Sequence, residues 1–291
     1  MGKASRRKNA AAPKRPRPAA FAARPFAGMP GESDWVAMSE ILPAATMTVP
    51  LAAGVAPEGG PDRVTIATVL PLAWPALRRE DGTVLIATQG GGASGDASRD
   101  LGSALLAALA APPGAPLPQV PMATDDTPPL QDLLDLAEAP EVTVHEGFDF
   151  WVEERELEGE AAASLARANE TVIPTVKMVA AESAYWCLLG DRPHIRLILP
   201  QDEDAATDAL ARLAADGAAG LGDDTRLLGA FRAGGLLIPV WELPRGTEAG
   251  DHEDAVTDFM GLYDAALGDT PLTPEQRRAK AGLVNRQVTL R

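Results

Sequence analysis

Residues 184–199, AYWCLLGDRPHIRLIL, decide how this chain folds. Ala184 to Leu189 is a short apolar run rich in aromatic and branched side chains, and His194 to Leu199 is a second. Between them stand Gly190, Asp191, Arg192 and Pro193, of which Gly, Asp and Pro are turn-forming or strand-ending residues. A parallel pair needs a crossover of a dozen residues or more, so two strands this close form an antiparallel hairpin. Downstream, 226–231 and 236–241 repeat the pattern across Ala233-Gly234-Gly235. Asp202, Glu203 and Asp204 introduce a helix whose Ala206, Leu210, Leu213 and Ala214 share a face. A further helix at 251–267 carries Val256, Phe259, Met260, Tyr263 and Leu267 on one stripe. Upstream, Val176 to Val179 reads as a short strand.

The first half follows a similar order. Ser33 or Asp34 is placed to cap a short helix from Trp35 to Leu42, and a Pro/Gly-rich connection covers 54–62. Residues 64–70 form a β-branched strand. A run near Trp74 to Leu77 turns at Glu80-Asp81-Gly82 into a strand at Val84 to Ile86. A glycine-rich loop precedes a helix near 98–110 with Leu101, Leu105 and Leu109 on one stripe. The pattern then predicts a helix at 129–138, a strand pair at 142–144 and 148–152, and an acidic helix at 154–169. Order should begin near Pro25. The expected fold class is therefore α+β, mainly antiparallel hairpins with packed helices. It is either one continuous domain or two pseudo-duplicated halves, 62–170 and 174–267.

Charge divides the chain differently. Its 26 basic and 41 acidic residues give a net of −15. Residues 1–24 hold Lys3, Arg6, Arg7, Lys8, Lys14, Arg15, Arg17 and Arg24 and no acid, among Ala and Pro. Such a segment buries too little apolar surface to offset its ordering entropy and is expected to be a disordered tail. Residues 272–291 add Arg277, Arg278, Lys280, Arg286 and Arg291 against Glu275 alone. The body at 25–271 is left with 13 basic and 40 acidic residues, a net of −27. At the start of the last segment Thr273, Pro274 and Gln276 supply an N-cap, a first-turn proline and a capping-box partner.

Chemistry-bearing residues are sparse. The single Cys187, inside an apolar strand, excludes a disulfide framework and multi-cysteine zinc sites, and reads as a core thiol. His145, His194 and His252 show no metal-ligand spacing, and His252 reads as part of a solvated helix start. The five tryptophans lack interleaved basic residues and read as packing groups rather than a base-stacking platform. No apolar run is long enough to span a bilayer, and no apolar core follows the basic N-terminus as a secretory signal requires. A cytoplasmic protein is expected, with no cofactor, no metal and no catalytic residue assigned. One motif stands out: Gly90, Gly92 and Gly95 satisfy G-x-G-x-x-G between a strand and a helix, a place where helix amides can receive a phosphate. The acidic residue expected about 20 positions later for a ribose is missing, as is a Gly-Lys-Ser/Thr.

Residues 24–49, RPFAGMPGESDWVAMSEILPAATMTV, together with YWCLLGDRPHIRLILPQDEDAATDALARL (185–213), LLIPVWELP (236–244) and LTPEQRRAKAGLVNRQVTLR (272–291), resemble an uncharacterised actinobacterial family known only as a domain of unknown function. Some relatives carry a SEC-C zinc motif before the shared opening, and automatic names have included topoisomerase II and preprotein translocase. This chain lacks the three cysteines and histidine of the motif in that position, lacks a P-loop, and has only Tyr185 and Tyr263 as tyrosines, so neither name transfers. The basic tail stands where those relatives carry zinc, which implies a docking element. The leading expectation is a non-enzymatic accessory protein that docks on ribosome, RNA or DNA through Lys3, Arg6, Arg7, Lys8, Lys14, Arg15 and Arg17. A ligand-binding protein or enzyme using the Gly90–Gly95 loop, and an acidic protein-interaction module, remain open beside it.

Overall fold

In the computed structural model, which describes residues 17–90, 92, 94–152 and 159–285, the body opens with helix α1 (Glu32–Glu40). Trp35, Val36, Ala37 and Met38 carry no charge and are completely shut off from solvent. A helix apolar on every side belongs inside a protein. It starts a turn earlier than its apolar run suggested. Gly31, at φ 68°, is the N-cap, and Ser33 and Asp34 are buried within the helix instead of capping it. Asp34 tolerates this because its carboxylate accepts from Lys177 Nζ at 2.5 Å and from the Tyr185 hydroxyl at 2.7 Å. Burial and that carboxylate push the Tyr185 pKa up, which keeps the hydroxyl a donor.

The first sheet comprises β1 (Ala45–Pro50), β2 (Arg63–Ala67), β3 (Ala76–Arg78), β4 (Val84–Ala87), β5 (Pro116–Leu117) and β6 (Thr143–Val144), with α2 (Ala97–Ala110) between β4 and β5. Its order is β5-β3-β4-β2-β1-β6. Neighbours run antiparallel except β2 and β4, which are parallel. β1 was not anticipated, although Ala45, Met47 and Val49 alternate inward with the outward Thr46 and Thr48. The short strand near 143 pairs with β1, not with 148–152. Asp149–Trp151 is instead a single 3-10 turn. Phe148 and Trp151 stack there with centroids 4.4 Å apart, and Phe150 and Trp151 pack with Leu85 and Ala67 on the sheet's outer face. The helix expected at 129–138 is likewise one 3-10 turn, Leu130–Asp132. Beyond it Ala52 donates to Leu133 O at 3.0 Å and Asp135 to Pro50 O at 2.9 Å, so the backbone extends the sheet rather than closing helical bonds.

After α3 (Gly159–Asn169), the second sheet contains β7 (Thr175–Lys177), β8 (Ala184–Leu189), β9 (Arg192–Leu197), β10 (Arg226–Ala233) and β11 (Leu236–Glu242), with α4 (Glu203–Ala215) preceding β10. Its order is β10-β11-β9-β8-β7, antiparallel throughout. The β8–β9 turn is tighter than expected: only Gly190, at φ 64°, and Asp191 lie between the strands. Pro193 sits in β9 opposite Leu188 and offers its carbonyl to Leu243 N at 3.0 Å. Gly234 and Gly235, at φ 53° and 81°, make the β10–β11 turn, where both positions need a left-handed backbone.

Two cores explain why β8 and β11 are apolar almost without interruption. Tyr185, Leu236 and Ile238 face α1 and the inner face of the first sheet, with Val64, Ile66, Val84 and Ile86, and with Leu101 and Leu105 of α2. Trp186, Ile195, Leu237 and Trp241 face the other way, onto Leu210 of α4, Phe259 and Tyr263 of α5 (Glu253–Ala266), and Leu283 of α6 (Pro274–Asn285). A sheet buried on both faces loses the polar half of its alternation. The expected α6 cap is present: Gln276 N donates to Thr273 Oγ1 at 3.2 Å and Thr273 N to Gln276 Oε1 at 2.9 Å. The fold is α+β. Among the described residues no helix is long and apolar enough to cross a membrane.

Candidate functional site

The segment joining β4 to α2 is where the sequence placed its one ligand motif. Its first residues are fixed to α1. Thr88 Oγ1 donates to Met38 O at 2.8 Å, and Gln89 Nε2 donates to Met38 O at 3.1 Å and Leu42 O at 3.0 Å. The bonds to Met38 O satisfy a carbonyl that the end of a helix leaves without an intrahelical partner. Gly90 and Gly95 are each required by a close approach to backbone. A Cβ on Gly90 would lie 2.8 Å from Pro75 Cα, and one on Gly95 would lie 2.8 Å from Phe21 Cα. One on Gly92 would overlap the Asp100 carboxylate. Gly91 and Ala93, which complete the loop, lie outside the described residues.

Among the described residues, the amides of Ser94, Gly95, Ser98 and Arg99 are already bonded. Asp96 caps α2, accepting from Ser98 N at 3.0 Å and Arg99 N at 3.3 Å. Asp100 Oδ2 accepts from Ser94 N at 3.3 Å, and Gly95 N donates to Ala19 O at 3.2 Å. Two carboxylates therefore occupy the start of α2, and an incoming phosphate would meet negative charge there.

The Ala19 contact belongs to a strap. The described chain begins at residue 17, upstream of Pro25, where order was expected to start, and residues 19–24 are bonded across the body. Ala19 N donates to Ala123 O at 2.9 Å, Ala20 N to Asp125 Oδ1 at 2.9 Å and Ala22 N to Gly95 O at 3.0 Å. Arg24 closes the strap beside the second sheet, with Nη1 2.5 Å from Asp202 Oδ1 and Nη2 3.0 Å from both Glu32 Oε2 and Pro200 O. Its hydrogen bond to Glu32 is the largest cause of its raised pKa. The signal for this strap was the absence of charge from Pro18 to Ala23, between Arg17 and Arg24.

Beneath the glycine loop lies a cavity of about 310 Å³ between the end of β4, the start of α2 and residues 118–122. Its walls include Pro75, Leu101, Ala104, Val120 and Met122, with Thr88, Gln119 and Asp100 as polar members. Helix α2 follows β4 directly, so the cavity sits at the C-terminal end of a strand that runs parallel to β2, the edge where α/β crossings leave crevices. Residues 118–122 carried no sequence signal for it beyond their prolines.

A family of unknown function, DUF5926, matches residues 25–291. The chain belongs to the DUF5926 family. The glycine loop and the cavity fall inside the matched region, whereas the strap and the basic run precede it. No curated protein and no solved structure matches the chain.

Elsewhere in this DUF5926 chain the titratable side chains hold structure. Cys187 is buried, and burial pushes its thiol pKa up, away from thiolate. His145 Nε2 lies 2.8 Å from Thr46 Oγ1, His194 Nδ1 lies 2.9 Å from Arg192 O, and His252 Nε2 lies 2.9 Å from Thr247 Oγ1. Burial lowers the pKa of all three. His252 is buried rather than solvated, and His194 lies within β9 instead of opening it. Among the described residues no group of three or more His, Cys, Asp or Glu is placed to hold a metal ion. Trp35 and Trp241 are core residues, and Trp241 Nε1 donates to Ala219 O at 2.7 Å.

The basic ends fare differently. Of the C-terminal cations, Arg278 pairs with Glu275 at 2.9 Å and Lys280 with Asp208 at 2.6 Å, while Arg277 bonds Leu272 O at 2.5 Å. Arg286 and Arg291 lie outside the described residues. Of the N-terminal cations proposed to contact nucleic acid, Lys3, Arg6, Arg7, Lys8, Lys14 and Arg15 also lie outside them, and Arg17 is exposed where the strap begins.

Proposed function

We propose that this is a non-enzymatic, cytoplasmic accessory protein that docks on a polyanion, the ribosome, RNA or DNA, through Lys3, Arg6, Arg7, Lys8, Lys14, Arg15 and Arg17. The observation that carries this reading is how the described cations are used. Arg24, Arg278 and Lys280 are committed to carboxylates of the protein itself, while the acid-free run before residue 18 leads straight into a strap bonded to the body. A fastened strap transmits a hold on residues 1–17 to the whole molecule. The acidic body, at −27 over residues 25–271, is repelled by the same phosphates and keeps clear of them.

Full-length protein is compared with a full-length variant carrying Gln at those seven positions, by co-sedimentation with ribosomes and by binding to bulk RNA and duplex DNA. Seven phosphate contacts on a duplex give a slope of log affinity on log salt of about −6. The substituted protein should lose both the affinity and the slope. Unchanged binding after substitution refutes the reading.

A further inference from the structure

We propose that the cavity between the end of β4, the start of α2 and residues 118–122 binds a small organic ammonium ion, with the Asp100 carboxylate as its counter-ion. This is independent of the polyanion reading, which uses the opposite sign of charge. At about 310 Å³ the space is at the lower end of ligand cavities, so its occupant is compact. Its described lining is mostly aliphatic and includes no Lys, Arg or His. Asp100 is half-buried and makes no ion pair among the described residues, and the bond its carboxylate receives from Ser94 N is long, at 3.3 Å.

A carboxylate on an apolar wall is poorly solvated and gains most from a cation brought to it. An anion would be repelled by it, and a neutral hydrocarbon would dehydrate it further. No aromatic residue is among its described lining, so recognition rests on N–H donation rather than on a cation–π cage. Asp100 is an acceptor suited to a primary ammonium, which a quaternary one cannot use, and Thr88 and Gln119 are its polar neighbours in the lining. Two features suit an occupant that enters and leaves. Met122, a pliable side chain, is 37% exposed at the rim. The wall at Pro75 follows two successive non-glycine residues in the left-handed region, Leu72 at φ 55° and Ala73 at φ 54°. Such conformations persist only where the surroundings hold them and tend to gather at binding sites.

The probes are cyclohexylammonium chloride and its neutral counterpart cyclohexanol, titrated into the full-length protein and followed by saturation-transfer NMR. Cyclohexylammonium should bind saturably in the millimolar range, at least tenfold more tightly than cyclohexanol. Asp100→Asn keeps the shape and should erase that preference. Ala97→Phe, at an exposed position on the cavity wall, should weaken both probes and leaves the core untouched, so it decides the matter even if the Asp100 variant folds poorly. The proposal is overturned by equal affinity for the two probes, by no saturable cyclohexylammonium binding, or by binding that Ala97→Phe leaves unchanged, which would place the ion elsewhere on the acidic surface.

Discussion

Replacing Lys177 by Met should cost this protein about 3 kcal/mol, because it strands a carboxylate inside the molecule. Asp34 is 4% exposed in a helix enclosed by both sheets, and its two partners, Lys177 and Tyr185, come from neighbouring strands of the second sheet. Removing one partner of a buried pair costs about 3–5 kcal/mol. The lower end applies because the Lys177 side chain keeps 27% of its exposure, so part of the pair is solvated. Tyr185→Phe removes a neutral donor to a charged acceptor and should cost about 2 kcal/mol. Asp34→Leu leaves an ammonium and a hydroxyl without their acceptor and should again cost about 3 kcal/mol. Taken singly these suggest a ruinous triple variant, yet Asp34→Leu/Lys177→Met/Tyr185→Phe should lie within about 1 kcal/mol of the parent, since no charge or donor is then left unpaired. Urea unfolding measures the four variants against the parent. With a slope of about 3 kcal/mol/M, Lys177→Met moves the midpoint by about 1 M. A Lys177→Met loss below about 1 kcal/mol, or a triple variant as damaged as the sum of its parts, refutes the account of this cluster as a buried charge network.

Gly95→Val places a Cβ 2.8 Å from Phe21 Cα and should dislodge the strap, raising hydrogen exchange at the Ala19 and Ala22 amides to that of exposed chain while the β8 and β11 amides stay protected. Arg24→Ala leaves Glu32, whose side chain is 12% exposed, without its cation and should cost about 2 kcal/mol, or about 4–6 °C in Tm. A loss smaller than about 0.5 kcal/mol would show that the strap rests on its backbone bonds alone. The histidines set a pH dependence. With folded pKa values of His145, His194 and His252 held below the ordinary 6.5 by burial, the unfolded chain binds more protons as pH falls through that value, so stability is complete above it and declines below it. Urea midpoints measured from pH 7.5 to about 5 should fall, and substituting Gln for each histidine should flatten the decline; a midpoint that rises over this range contradicts the burial.

The sequence was most legible where local and tertiary preferences agreed. The β10–β11 hairpin needed two left-handed positions and had two glycines there, and α6 had its capping box and used it. Legibility failed where a local pattern was outbid from a distance. Leu130, Leu133 and Leu134 have helical spacing, but a helix confined between Pro129 and Pro140 is short enough to be marginal in isolation, and pairing of 133–135 with the end of β1 offered those backbone groups a better ladder. Phe148, Phe150 and Trp151 read as a strand because aromatic residues favour strands, yet they cap a sheet instead of joining one. β1 was missed for a different reason. Its alternation of Ala, Met and Val with Thr was visible, but the stretch, with proline at both ends of 43–50, was assigned to no element between the helix at 35–42 and the connection at 54–62.

The glycine loop shows why a motif needs its surroundings before it means anything. Gly90, Gly92 and Gly95 stand between a strand and a helix as a phosphate loop requires, and Gly90 and Gly95 are glycines for a steric reason. Those reasons are the approach of Pro75 and of the strap, not of a ligand, and the neighbour of Gly92 is the Asp100 carboxylate. Spacing alone cannot separate the two cases, because a tight turn onto a helix N-terminus needs the same residues whichever anion satisfies its amides. Here the anions are side chains of α2 itself, Asp96 and Asp100. Asp100 lay in plain view in the first turn of α2, where a helix-dipole argument accounts for it completely. Only the neighbouring aliphatic wall, assembled from residues 75 to 122, turns that same carboxylate into a counter-ion. The charge that makes the loop a poor phosphate site is thus the charge that gives the cavity below it a preference, and testing for an ammonium ion rather than a nucleotide follows from that inversion.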